Sequence, residues 1–189
     1  MATIRRRACY ICRFLTKAAS YCVKRAGALF FKERYACMIV TFCGHHDIFY
    51  GEKQERRLEE ELRKVLQKSP DAVFYLGDYG SFDWLCNATL RQLQAEYPRL
   101  RRVFVTPYLD PGYTRFRYAR EEYDEILYPF FTETVARRFA ISARNRRMVD
   151  AADLVIAYVT HDWGGAAQTL RYATRKKKPC VNLGVAVSP

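Results

Sequence analysis

Five short apolar runs alternate with segments of helical period, and this alternation restricts the fold more than any other feature of the chain. The runs are MIVTFCG (38–44), AVFYLGDYG (72–80), RRVFVTPYL (101–109), DLVIAYVT (153–160) and KPCVNLGV (178–185). Short continuous apolar blocks of this kind read as strands buried on both faces. After the first run, EKQERRLEEELRKVLQ places Leu58, Leu62, Val65 and Leu66 on one face and charge elsewhere, the pattern of an amphipathic helix. A second helix is expected over 82–96, with Ser81 as N-cap, Phe82, Leu85 and Leu93 facing inward, and Tyr97-Pro98 as its stop. Further helices are expected over 140–152 and 165–176. Strands alternating with helices give a parallel sheet covered on both faces. The fold class is therefore α/β: a Rossmann-like three-layer sandwich with a mostly parallel sheet. With the five runs numbered in chain order, the expected strand order is 3-2-1-4-5.

Residues 110–135 are less regular, rich in Tyr, Phe, Arg and acids. They are long for a connection and read as a lid or binding loop. At 189 residues, 50% hydrophobic and 15% aromatic, the chain suits one domain with a substantial core and is not of disordered composition. No apolar stretch approaches the roughly 18 to 20 residues of a membrane span.

The net charge of +12 is unevenly placed. Residues 1–37 hold nine of the 32 Lys and Arg but only one acid, Glu33. A nucleic-acid reading from charge alone would rest mainly on that segment. Cys9, Cys12, Cys22 and Cys37 share it. Zinc binding lacks a second Cys-x-x-Cys half, a basic membrane-surface helix is an alternative, and a targeting peptide lacks its apolar core. The reading adopted is an upstream extension, 1–37, outside the fold, with Met38 the natural start of a domain over 38–189. Cys43, Cys86 and Cys180 sit in apolar runs, where a free thiol behaves as a small hydrophobe. An odd cysteine total without a framework indicates a reducing, cytoplasmic setting.

Three strand ends combine glycine with polar or charged residues. They are CGHHD (43–47), GDYGSFD (77–83) and HDWGG (161–165). Ligands of open α/β sheets bind beyond the carboxyl ends of the strands. The expected order sets strands one and four side by side, so Gly44 and Gly164 would line one crevice. Gly164 and Gly165 open a helix, where bare N–H groups attract a phosphate or carboxylate; the plain alternative is a tight turn. Asp83 in a first helical turn is stabilising by about 0.3–1 kcal/mol without any ligand, or holds a ribose hydroxyl. Arg144 and Asn145 form a donor pair suited to phosphate, or a polar face; Arg146 and Arg147 read as solvated. Trp163 stacks on a base or covers the sheet end. His45, His46 and His161, with Asp47 and Asp162, lack regular ligand spacing, so no metal is expected.

These residues carry a resemblance. TFCGHHDI, FYLGDYGSFDWLCNATLRQL, VTPYLD, YDEILYP and RFAISARNRRMVDAADLVIAYVTHDWGGAAQTLRYATRKKKP together resemble the SLOG superfamily, closest to its YpsA-like branch, over about Met38 to Leu183. The superfamily is Rossmann-like and includes the Lonely Guy phosphoribohydrolases and DprA. The resemblance implies a nucleotide pocket formed by Gly44, Gly77, Gly80, Ser81, Asp83, Arg144, Asn145, Gly164, Gly165 and Thr169; His45 and Trp163 join the candidate set from the strand ends. Lonely Guy enzymes carry P-G-G-x-G-T-x-x-E with a catalytic glutamate. Here the corner reads WGGAAQTLRY, and no glutamate follows. That reaction is not expected, and Asp83 is the best remaining catalytic candidate. The expected function is binding or sensing of a nucleotide-derived ligand, with no required cofactor. The alternatives are a nucleotide-processing hydrolase or transferase and a DprA-like single-stranded nucleic-acid binder. A homo-oligomer is compatible with each.

Overall fold

The computed structural model describes residues 24–26, 37–108, 122–129 and 135–184. It forms strands β1 (Lys24–Ala26), β2 (Ile39–Gly44), β3 (Val73–Leu76), β4 (Arg101–Val105), β5 (Glu125–Pro129), β6 (Leu154–Tyr158) and β7 (Cys180–Asn182). The helices are α1 (Glu52–Lys68), α2 (Ser81–Leu93), α3 (Ala140–Ala151) and α4 (Gly164–Arg175). One sheet runs β1-β5-β4-β3-β2-β6-β7, and every pairing is parallel.

The stretch β4-β3-β2-β6-β7 is the 3-2-1-4-5 order expected from the apolar runs. Two strands extend it beyond β4. The irregular reading of 110–135 is corrected by β5, whose Ile126, Leu127 and Tyr128 are buried. Only three apolar residues stand there among acids, so the strand is specified by its pairing with β4 (Val103 to Glu125, Val105 to Leu127). A short strand, β1, lies within 1–37 and pairs with β5. The remainder of 1–36, with Cys9, Cys12 and Cys22, lies outside the described residues.

Alternation along the strands splits the core into two faces. Val40, Phe42, Phe74, Leu76 and Phe104 pack with Leu58, Leu62 and Leu66 of α1 and with Phe82 and Leu90 of α2. On the other face Ile39, Val73, Tyr75 and Val103 pack with Met148 and Ala151 of α3. Val155 and Ala157 pack there with Ala167 and Ala173 of α4. Each buried leucine or phenylalanine contributes about 1.5–3 kcal/mol of transfer free energy. Cys43 and Cys86 are buried as expected, but Cys180 is exposed. It belongs to a three-residue edge strand, which apolar neighbours in the sequence do not reveal.

The β7 edge is short and follows Arg175-Lys176-Lys177-Lys178-Pro179. Lys178 donates from Nζ to the carbonyls of Asp150 (2.8 Å) and Ala152 (2.7 Å) at the end of α3, where a cation is favoured. Arg175, Lys176 and Lys177 remain exposed.

Candidate functional site

A cleft of about 350 Å3 opens at the carboxyl ends of β2, β3 and β6. Because β2 pairs with β6, the ends bearing Gly44 and Gly164 meet in it. Of the twelve candidates, Gly44, His45, Gly77, Asp83, Arg144, Asn145, Trp163, Gly164 and Gly165 line the cleft. Gly80, Ser81 and Thr169 do not line it.

Ser81 is not the cap that the sequence suggested. Gly80 precedes the helix, and Ser81 is its first residue. Its Oγ donates to the His46 carbonyl at 2.8 Å and accepts from Ile48 N at 2.9 Å, while its own N–H donates to the same His46 carbonyl at 2.8 Å. Three hydrogen bonds thus clasp the loop after β2 to the loop after β3. Gly80 has φ +112°, and a Cβ there would stand 2.8 Å from His46 Cα, so both conformation and close approach require glycine.

Asp83 is buried and accepts from Tyr79 N at 2.9 Å. Its carboxylate closes the turn at the start of α2, where the helix dipole favours negative charge, and it also faces the cleft. Arg144 is 2% exposed. Nη1 donates to the carbonyls of Gly77 and Val105, both at 2.8 Å, and so ties α3 to the ends of β3 and β4. Asn145 Nδ2 donates to Thr169 Oγ1 at 3.4 Å, and that hydroxyl donates to the Gly165 carbonyl at 2.8 Å. The expected donor pair is therefore divided: the arginine secures the strand ends, and the asparagine steadies the first turn of α4.

His45 Nε2 accepts from the backbone N–H of Thr160 (3.1 Å) and of His161 (3.4 Å), which places its proton on Nδ1. Burial, and then the His161 ring opposite, hold its pKa below the ordinary imidazole value. The two imidazoles are stacked at 3.5 Å between centroids, and His161 stacks on Trp163 at 3.8 Å. The three rings form a ladder from the sheet to the mouth of the cleft, ending in a tryptophan that is 69% exposed. Stacked imidazoles present faces to each other, not converging lone pairs. Among the described residues no group of three or more His, Cys, Asp or Glu is placed to hold a metal ion.

Helix α4 begins without a side-chain cap and without an acid in its first turn, whereas α1 opens with Glu52 and Glu55 and α2 with Asp83. The first N–H groups of a helix lack intrahelical partners and carry partial positive charge. Gly164 has φ +85°, so glycine is needed there for conformation. At Gly165 a Cβ would meet nothing within 4 Å.

No protein-family model matches the chain, and no curated protein matches it by sequence. Solved structures do. DNA processing protein A (DprA) from Streptococcus pneumoniae superposes with a TM-score of 0.55 at 15% identity, covering 82% of this chain and 52% of that one. DprA from Helicobacter pylori, in a study of its single-stranded DNA binding mode, gives 0.56 at 14% identity, covering 89% and 78%. The chain has a Rossmann-like, DprA-type fold. The Moco carrier protein of Chlamydomonas rheinhardtii shares it, with a TM-score of 0.51 at 14% identity over 80% of this chain and 79% of that one. The chain spans about half the length of the S. pneumoniae DprA.

On this DprA-type sheet the cleft also holds Tyr79, which is absent from the candidates drawn from the sequence. It is 46% exposed and lies edge-on to His46 at 5.2 Å. Its position between Gly77 and Gly80 at a strand end was the available signal. Among the described residues no helix is long and apolar enough to cross a membrane.

Proposed function

We propose that the chain binds or senses a nucleotide or nucleotide-derived ligand in this cleft, with a phosphate on the first turn of α4 and the base against Trp163. Gly165 carries the reading. Close packing accounts for Gly44 and Gly77, and a positive φ for Gly80 and Gly164. Neither demand falls on Gly165, which faces open space beside the bare amides of α4. A glycine there leaves room for an anion to reach the helix N-terminus. The motif order GDYGSFD, RNRRMV and WGG supports placing the chain in the YpsA-like branch of the SLOG superfamily, and its cysteine pattern suits the cytoplasm. The reading requires no cofactor.

Binding is favoured over Lonely Guy-type hydrolysis. Counted along that motif, the glutamate position is Arg171, a cation where cleavage of the glycosidic bond needs a carboxylate to stabilise developing positive charge. A second reading, single-stranded nucleic-acid binding, draws on the fold shared with H. pylori DprA and on the exposed Trp163 and Tyr79, since aromatic faces stack bases without regard to sequence.

Thermal unfolding of the full chain with AMP, NAD and ADP-ribose tests the proposal. A ligand of the folded state stabilises by about 2.7 kcal/mol at a hundredfold excess over its dissociation constant, which is read as a clear rise in Tm. A nucleotide panel that shifts nothing refutes it.

A further inference from the structure

Beside the cleft, across the N-terminus of α4, lies a larger groove of about 940 Å3. His161 and Gly165 line both hollows, so the groove continues the cleft. Its wall carries Arg146 from α3 and Arg171 and Arg175 from α4, all exposed; Asp162 is the only acid in the lining. None of the three arginines pairs with a carboxylate among the described residues. The guanidinium of Arg146 lies 5.8 Å and that of Arg175 5.9 Å from the centroid of the Tyr172 ring. Tyr172 is itself held by its hydroxyl, which donates to Asp150 Oδ1 at 2.8 Å. With Lys176, whose Nζ lies 5.5 Å from the same centroid, three cations surround one fixed aromatic ring.

Arg171 lines the groove near the start of α4. Its Cα stands about 9 Å along the helix axis from that of Gly165, at 1.5 Å per residue. Helical side chains lean toward the N-terminus, and Arg171 Nη1 reaches back to donate to the Asp162 carbonyl. A phosphate seated on Gly165 would therefore have one guanidinium beside it and two more along the groove.

We propose that the groove is a second anion subsite for the same ligand, and that this ligand is a nucleotide with an extended oligophosphate arm, such as a nucleoside triphosphate or a dinucleoside polyphosphate. The inference rests on the cleft reading above and extends it from one phosphate to several. The base and first phosphate occupy the cleft. The following phosphates pass Arg171 and lie against Arg146 and Arg175, where charge-assisted hydrogen bonds to guanidinium are strong and directional.

The test is calorimetric titration of the full chain, at fixed ionic strength and without divalent cations, with AMP, ADP, ATP and adenosine 5′-tetraphosphate. Affinity is expected to rise along the series, by about tenfold or more from AMP to ATP. In Arg146→Gln/Arg175→Gln the ATP affinity should fall close to that of AMP, with AMP binding unchanged. Lys53→Gln/Lys68→Gln, which removes equal charge from α1, should keep the preference. If that control loses the preference equally, a long-range field explains it and the subsite is overturned. If wild-type protein binds AMP and ATP alike, the subsite fails while the cleft reading stands. If no adenine nucleotide binds, the cleft reading fails and takes the subsite with it. An oligothymidylate that binds and is lost in the arginine variant, with no ATP preference, would make the groove a nucleic-acid track and overturn the small-ligand proposal.

Discussion

The guanidinium of Arg144 lies so close to Gly77 that a Cβ on that glycine would stand 2.7 Å from Nη1, the atom that donates to the Gly77 carbonyl at 2.8 Å. Each residue explains the other. The arginine needs a bare backbone to reach, and the glycine is bare because the arginine is there. Arg144→Leu leaves the Gly77 and Val105 carbonyls without this donor, at about 1–3 kcal/mol for each buried group left unsatisfied. The expected result is a lower urea midpoint, with total loss of about 2–5 kcal/mol. Gly77→Ala should destabilise wild-type protein and cost much less in the Arg144→Leu background, because the two residues are in contact. Additive costs would disprove the coupling.

Gly165→Val separates a ligand site from a simple turn. The side chain would enter open space, so circular dichroism should show a folded protein, with a helix-propensity change below about 1 kcal/mol. Nucleotide binding should be lost, because the branched side chain covers the amides. Normal affinity in a folded Gly165→Val protein would remove the phosphate from the first turn of α4 and overturn the reading. By contrast, Gly44→Ala should destabilise without any ligand, since its Cβ would lie 2.5 Å from Phe82 Cβ.

Acid should weaken the strand end through His45. Its folded pKa is lowered, first by burial, while the unfolded chain titrates near about 6.5. Between those values the unfolded chain holds more protons, so stability is full above about pH 6.5 and is lost as pH falls toward the folded value. Protonation would also set a donor against the Thr160 and His161 amides. Melting curves between pH 7.5 and pH 5 should fall more steeply for wild type than for His45→Asn. Parallel curves would remove His45 as the cause.

No phosphoribohydrolase activity is expected. Prolonged incubation with AMP or a cytokinin monophosphate, followed by chromatography, should show no free base above the enzyme-free control. Steady release at ordinary enzymatic rates would refute the assignment of Arg171 to the glutamate position.

The central strands were legible because each is an apolar block between helical patterns, and Leu58, Leu62, Val65 and Leu66 face the core as their spacing required. Strand β5 was hidden because Ile126, Leu127 and Tyr128 stand in an acidic stretch and owe their conformation to the neighbour they pair with. Gly44, His45, Gly77, Trp163 and Gly164 reach the cleft because strand ends carry them there. What the sequence withheld is direction. Ser81 has the chemistry of a cap, but its hydroxyl serves another loop, and Arg144 has the chemistry of an anion ligand, but Nη1 serves two carbonyls. Both choices depend on partners at least 33 residues away in the chain.

The β7 edge also bears on how copies of the chain meet. An unpaired strand edge is a template on which another molecule can add a strand and begin a polymer. Here the template is three residues long, enters from Pro179, and stands beside the exposed cations Arg175, Lys176 and Lys177. A second copy approaching edge to edge would bring the same cations against these. Among the described residues, this basic run disfavours the addition of a second copy edge to edge at β7.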